Sequence, residues 1–399
     1  MALQERLGFC SVLAIIYLLN PLVGIILTAF MCIKSEKCPK ELMYMLFVFI
    51  ACWLGTINMT KIPLSDMVGY IKHFNAVPNK SFVENILHYD NNGGREPLYA
   101  LINYIGYYVS FGKAPLFIFF LTFSFYMLMF SSIYKIYNLS DCSSYMIVGA
   151  VFAFAFFPQV FGFTAHLIRQ MLATAIVVYA IAYRIETGKN NWFLLISAIL
   201  IHTMTGLLVL LSVISILYKK LNCKKLILCI GLMLLVVLAN SAISYLLNDT
   251  SSSVVAYASH RFGNSRETEG ADNFMKILFP LVFIFVFIRS YKIIKKEEEN
   301  HIWGIMNITM LLAVFILAFQ SNPFIQMRFA LILYSLVPIL LPFLFYKNIL
   351  LAYWGAIGLS FAMVIFFLMK YNNMGFEYAE VDKILSYPLF MLFFQLHSF

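Results

Sequence analysis

Apolar runs of about 20 residues recur along the chain, each long enough to cross a bilayer core as a helix. They fall over Phe9–Ile33, Leu42–Thr60, Pro115–Tyr134, Ser144–Phe161, a helix from Gly162 to Arg184, Leu226–Leu247, Lys276–Ile294, Ile302–Phe319, Phe329–Tyr346 and Leu350–Met369. The tail Leu389–Phe399 returns part way. Trp192–Tyr218, at roughly 27 residues, is long for one crossing and reads as a broken or re-entrant pair turning near His202, Thr205 and Gly206. Pro97–Phe111 places Leu98, Leu101, Ile102, Ile105 and Val109 at helical spacing and tyrosines on the remaining face. That pattern predicts a helix lying in the membrane interface. The fold class expected is therefore an all-α polytopic integral membrane protein with about 11–13 membrane segments.

Composition agrees. The chain has 399 residues, 62% of them hydrophobic and 12% charged, and its mean hydropathy of +0.84 excludes a soluble globular domain. The first apolar run is too long for a signal peptide's hydrophobic stretch and has no small-residue cleavage site, so it is expected to be retained. The net charge of +9 does not point to nucleic acid, because the lysines sit in short clusters between spans, where they set topology. Placing those clusters in the cytoplasm leaves a single membrane domain over 1–399. Two sizeable periplasmic segments result, 61–113 with its interfacial helix and 248–275. The seven cysteines show no metal-ligand spacing and predict no disulfide.

The unusual polar groups then share one side of the membrane. In Gly162–Arg184, His166, Arg169 and Gln170 open an otherwise apolar helix, and a cation there usually faces a bundle interior or a water-filled cavity. His166 and Arg169, three apart, are expected on one helix face that continues through Ala173, Ile176 and Ala180. The alternative is a snorkelling arginine near a helix end. In the first loop, Asp66, Tyr70 and His73 lie along one face of a short helix, and Ser81 with Glu84 fits a capping box for a helix from Phe82 to His88. Arg95-Glu96-Pro97 opens the tyrosine-bearing helix; Asp66 and Glu96 suit either a functional role or helix capping with Lys61 or Arg95 as partners. His202 suits either chemistry or packing. Arg261 and Arg266 in the second loop, and Arg328 at a later helix start, suit phosphate recognition, since guanidinium binds phosphate oxygens bidentately. A lipid with a phosphate headgroup and a polar body outside the bilayer would fit this set, with tyrosines facing sugar rings.

With Asp66 and Tyr70, Glu96-Pro97-Leu98-Tyr99, Ile168-Arg169-Gln170 with Ala173, and then His202, the chain resembles the Wzy-type polysaccharide polymerases, most closely their EpsG-like branch. The resemblance implies a membrane fold similar to that of C-type glycosyltransferases and an inner-membrane enzyme acting at the periplasmic face. Such an enzyme moves a growing glycan from undecaprenyl diphosphate to the non-reducing end of another lipid-linked repeat unit. It implies no metal or nucleotide cofactor, and a flippase and a chain-length regulator as partners. Under it, Arg169 with Arg261, Arg266 or Arg328 would hold the diphosphate. Glu96, Asp66 and His202 are the candidate bases, and Gln170, His166, Tyr70 and Arg95 candidate substrate contacts. A lipid-linked oligosaccharide flippase and an O-antigen ligase remain the alternatives. O-antigen is the product expected.

Overall fold

A computed structural model describes residues 3–34, 37–63, 66–87, 96–222, 224, 227–231, 271–293, 300–318, 323–345, 349–371, 374 and 380–394. The fold is all-α. Six of the described helices are long and apolar enough to cross a membrane: Lys40–Asn58, Ala114–Leu139, Ile168–Thr187, His301–Ala318, Gln326–Phe343 and Leu350–Tyr371. A seventh crossing is available if Ser144–Ala155 and Pro158–Thr164, bent by 57°, form one span. The protein is thus a multi-pass membrane protein. Leu350, Leu351, Trp354, Phe361 and Met369 stand exposed along Leu350–Tyr371, as a lipid-facing surface requires.

The chain divides into two compact units, Met1–Val209 with Phe345–Phe399, and Leu210–Leu344. In the first, α1 (Leu3–Leu19) and α2 (Pro21–Lys34) pack against each other, and α2 packs on α3 (Lys40–Asn58). The expected single span Phe9–Ile33 is therefore corrected to two helices. Pro21 cannot donate a backbone N–H to continue α1, and Gly24 lets the bend close: a Cβ there would lie 2.5 Å from the Tyr17 Cα. Tyr17 donates its hydroxyl to the Phe49 carbonyl at 2.8 Å, tying this bend to α3.

Beyond α3 come three short helices, α4 (Asp66–Asn75), α5 (Phe82–Leu87) and α6 (Pro97–Val109). The capping box forms as expected. The Ser81 amide donates to Glu84 Oε2 at 2.8 Å and the Glu84 amide donates to Ser81 Oγ at 3.3 Å. Ser81→Ala should cost about 1 kcal/mol locally. The cost should be visible as roughly fivefold faster amide hydrogen exchange over Phe82–Leu87, with the spans unchanged. The α6 helix has 13 residues, about 20 Å at the helical rise, too short to cross alone. Gly106 brings it against α7 (Ala114–Leu139); an added Cβ would come within 2.1 Å of the Phe117 ring.

The α8 helix (Ser144–Ala155) crosses the helix Ile349–Tyr371 closely, with a Cβ on Gly149 falling 2.9 Å from that of Ala356. Small residues at such crossings let apolar helices gain dispersion contact. After α9 (Pro158–His166), α10 (Ile168–Thr187) packs on α7 and on α11 (Trp192–Ile201), with Ala173 and Ala180 buried. It ends at Gly188, whose φ of 71° gives the left-handed C-cap.

Residues His166 and Arg169 do not share a continuous helix. Leu167, at φ −122° and ψ 45°, interrupts it and leaves His166 ending α9 and Arg169 in the first turn of α10.

The second unit packs Asn300–Ala318 against Ala271–Ile293 and Pro323–Leu340. Asn307 Nδ2 donates to the carbonyls of Leu217 and Lys219 at 2.7 and 3.0 Å, fixing the irregular segment before it. The expected span Leu226–Leu247 and the loop 248–275 lie mostly outside the described residues.

Candidate functional site

Three local features bring charged groups together in the first unit. The first is the start of α6. Pro97 takes the first helical position, where its missing N–H costs nothing. The Glu96 carbonyl accepts from Ala100 at 3.1 Å, so the backbone of Glu96 opens the helix. Its side chain makes no capping bond, which leaves the carboxylate available to other elements.

The second is the break after α11. His202 is extended, at φ −155° and ψ 112°. Its amide still reaches the Ala198 carbonyl at 2.9 Å. The His202 carbonyl accepts from the Thr205 amide at 3.1 Å and from the buried Thr205 Oγ1 at 2.7 Å, so the break leaves it satisfied. The turn expected near His202, Thr205 and Gly206 is present: Thr203–Thr205 form a 3₁₀ turn and α12 (Gly206–Val213) follows.

The third is the start of α10, which carries Arg169. Its Nη1 donates to Glu96 Oε2 at 2.6 Å, while His202 Nδ1 lies 2.6 Å from Glu96 Oε1. The Thr203 amide adds a long contact of 3.4 Å to the same oxygen. Each carboxylate oxygen is thus committed to a different partner. The Arg169 guanidinium carbon lies 4.9 Å from the Tyr70 ring centroid and 5.7 Å from that of Tyr99, a cation–π shelf. The side chains of Glu96 and His202 are each 9% exposed and that of Arg169 17%. This settles the snorkelling alternative: the guanidinium turns inward to a carboxylate and two aromatic faces.

Burial works to raise the Glu96 carboxyl. The His202 hydrogen bond, the His202 and Arg169 charges and the Thr203 amide outweigh it and hold the group below its ordinary value. Glu96 is therefore an anion at neutral pH and a poor proton acceptor. Its carboxylate holds the His202 ring through Nδ1.

Glu96 holds the N-cap position of α6 without a side-chain capping bond, and of its two expected pairing partners Arg95 lies outside the described residues. Lys61 Nζ donates to the Gly162 carbonyl of α9 at 2.8 Å, and burial pulls its ammonium down to about 7. It anchors the helix immediately before Arg169.

Of the other expected residues, Tyr70 is in the cluster, and Asp66 stands one turn before it on the same α4 face. Gln170 is fully buried beside Arg169, and His166 is half-buried at the end of α9. Arg328 is half-buried on Pro323–Leu340 in the second unit. Arg95, Arg261 and Arg266 lie outside the described residues. Tyr99 and Thr203 were not anticipated as site residues. Tyr99 follows Glu96 by three positions and so returns to its face of α6, a signal the sequence contains.

A short helix start, a broken helix and a spanning helix thus build one guanidinium–carboxylate–imidazole cluster in a multi-pass membrane protein. Residues 63–389 match the EpsG family, and the chain belongs to that family. It is thereby a polysaccharide-polymerase-like membrane protein of the Wzy type. No curated protein and no solved structure matches it.

Proposed function

We propose that the protein is a surface-polysaccharide polymerase making O-antigen, active at the periplasmic face of the inner membrane. It would transfer a growing glycan from undecaprenyl diphosphate to the non-reducing end of another undecaprenyl-diphosphate-linked repeat unit. The observation that carries this reading is Arg169, Glu96 and His202 in one hydrogen-bonded cluster within a member of the EpsG family.

The chemistry asks for two things, and the cluster has a group for each. The bond between the anomeric carbon and the diphosphate oxygen breaks, and negative charge grows on the departing diphosphate. Arg169 would stabilise that charge, the role that is often largest in group transfer. The acceptor sugar hydroxyl forms the new bond to the anomeric carbon and gives up its proton. His202 would receive it at Nε2, with Glu96 on Nδ1 stabilising the imidazolium. Metal and nucleotide have no step in this scheme. A flippase that delivers repeat units and a chain-length regulator are the partners it calls for.

The direct test is reconstitution of the purified protein in liposomes with undecaprenyl-diphosphate-linked repeat units. The expected result is a glycan ladder on the lipid with one undecaprenyl diphosphate released per linkage. Movement of the units across the bilayer with no lengthening would instead identify a flippase. Transfer only onto added lipid A core would identify a ligase.

A further inference from the structure

We propose that Glu96 is an internal stand-in for the phosphate of the incoming lipid: its carboxylate occupies Arg169 in the unliganded protein, and a diphosphate headgroup displaces it. This rests on the polymerase reading of the site. Carboxylate and phosphate are both oxyanions that guanidinium binds through parallel N–H bonds. The Arg169–Glu96 contact of 2.6 Å already holds one such oxyanion in the place a phosphate would need.

The reason for a stand-in lies in burial. The Arg169 side chain is 17% exposed, a burial at which a cation is stabilised by negative charge held against it. Glu96 supplies that charge, and its second oxygen on His202 Nδ1 gives it somewhere to stay after displacement.

Displacement also changes His202. While Glu96 is shared, its negative charge is partly spent on Arg169. Once a phosphate takes Arg169, the carboxylate faces His202 alone, and an undivided anion at Nδ1 makes the imidazole a stronger proton acceptor. The base is strengthened only when a diphosphate is seated, so sugar hydroxyls are activated in loaded enzyme and not in empty enzyme. Glu96 acts here through Arg169 and His202 and is a positioning residue.

Farnesyl diphosphate, a short soluble prenyl diphosphate, tests this by equilibrium binding to the full-length protein in detergent at neutral pH. Glu96→Gln keeps the shape and removes the competing charge, so it should bind farnesyl diphosphate roughly tenfold tighter than wild type, because the fraction of protein with Arg169 available rises. Glu96→Asp, too short to span both partners, should bind tighter by a smaller factor and serves if the glutamine variant does not fold. Binding by Glu96→Gln and Glu96→Asp that is unchanged or weaker overturns the stand-in role, and Glu96 is then a support that Arg169 needs in order to bind. Arg169→Ala that binds as well as wild type overturns the anion site itself, and with it the polymerase reading of this cluster.

Discussion

His202→Asn should abolish glycan lengthening, with a loss of about 10²–10⁴-fold in transfer rate, the span usual for removing a general base. The side-chain amide of asparagine can still donate to Glu96 Oε1 from near the position of Nδ1, which lies 2.6 Å away. It has no basic nitrogen at the position of Nε2. The fold should therefore survive, with the melting temperature in detergent close to that of wild type. His202→Gln places its amide nearer Nε2 and abandons Glu96. It should lose activity and stability together. A histidine that only packs would show neither pattern, and the asparagine variant would keep most of its activity.

Glu96→Ala has the second large effect, on the folded protein as well as on transfer. It removes the anion from Arg169 and the acceptor from His202 in one step. Breaking a buried pair from one side costs about 3–5 kcal/mol, and the remaining exposure of Arg169 argues for the lower end. The pH dependence has a defined sign. The carboxyl of Glu96 lies below its ordinary value in the folded protein, so its contribution is fully present above the ordinary carboxylate range. That contribution is lost as pH falls through the lowered folded value. Thermal unfolding in detergent should show wild type well above Glu96→Ala at neutral pH, and the two curves should converge in acid. A constant gap across that range would mean that the carboxylate's charge does not stabilise the fold.

Much of this site was legible from residue order alone, and what was missed follows a physical pattern. The capping box at Ser81 and Glu84, the proline start of α6 and the break at His202 are local events, governed by hydrogen bonds within a few residues. The break at Leu167 has no such mark. No glycine or proline stands at Leu167, so periodicity alone extended the helix from His166 into Arg169 and assigned them one face. The bend at Pro21 was marked by its proline, yet the apolar run through it looked continuous because both helices are apolar. Pairings between distant elements were beyond reach. Glu96 meets Arg169 across 73 residues and His202 across 106, and only the packing of α6, α10 and α11 decides that the Glu96 side chain turns away from its own helix start. Lys61 is the same case, drawn to the Gly162 carbonyl in the middle of a helix it does not adjoin in sequence.

The central claim is that Arg169 binds the anionic lipid headgroup during chain growth. Its most direct test is to express Arg169→Ala and Arg169→Lys in a strain lacking the native gene and to read the length ladder of its surface lipopolysaccharide, with protein level checked. The account predicts that both variants, at normal abundance, leave only a single repeat unit on the lipid A core. Alanine has no charge there, and lysine has the charge without the planar fork that binds two oxygens. An unchanged ladder in both variants would contradict the account, because polymerisation would then proceed without the group on which the whole site is built.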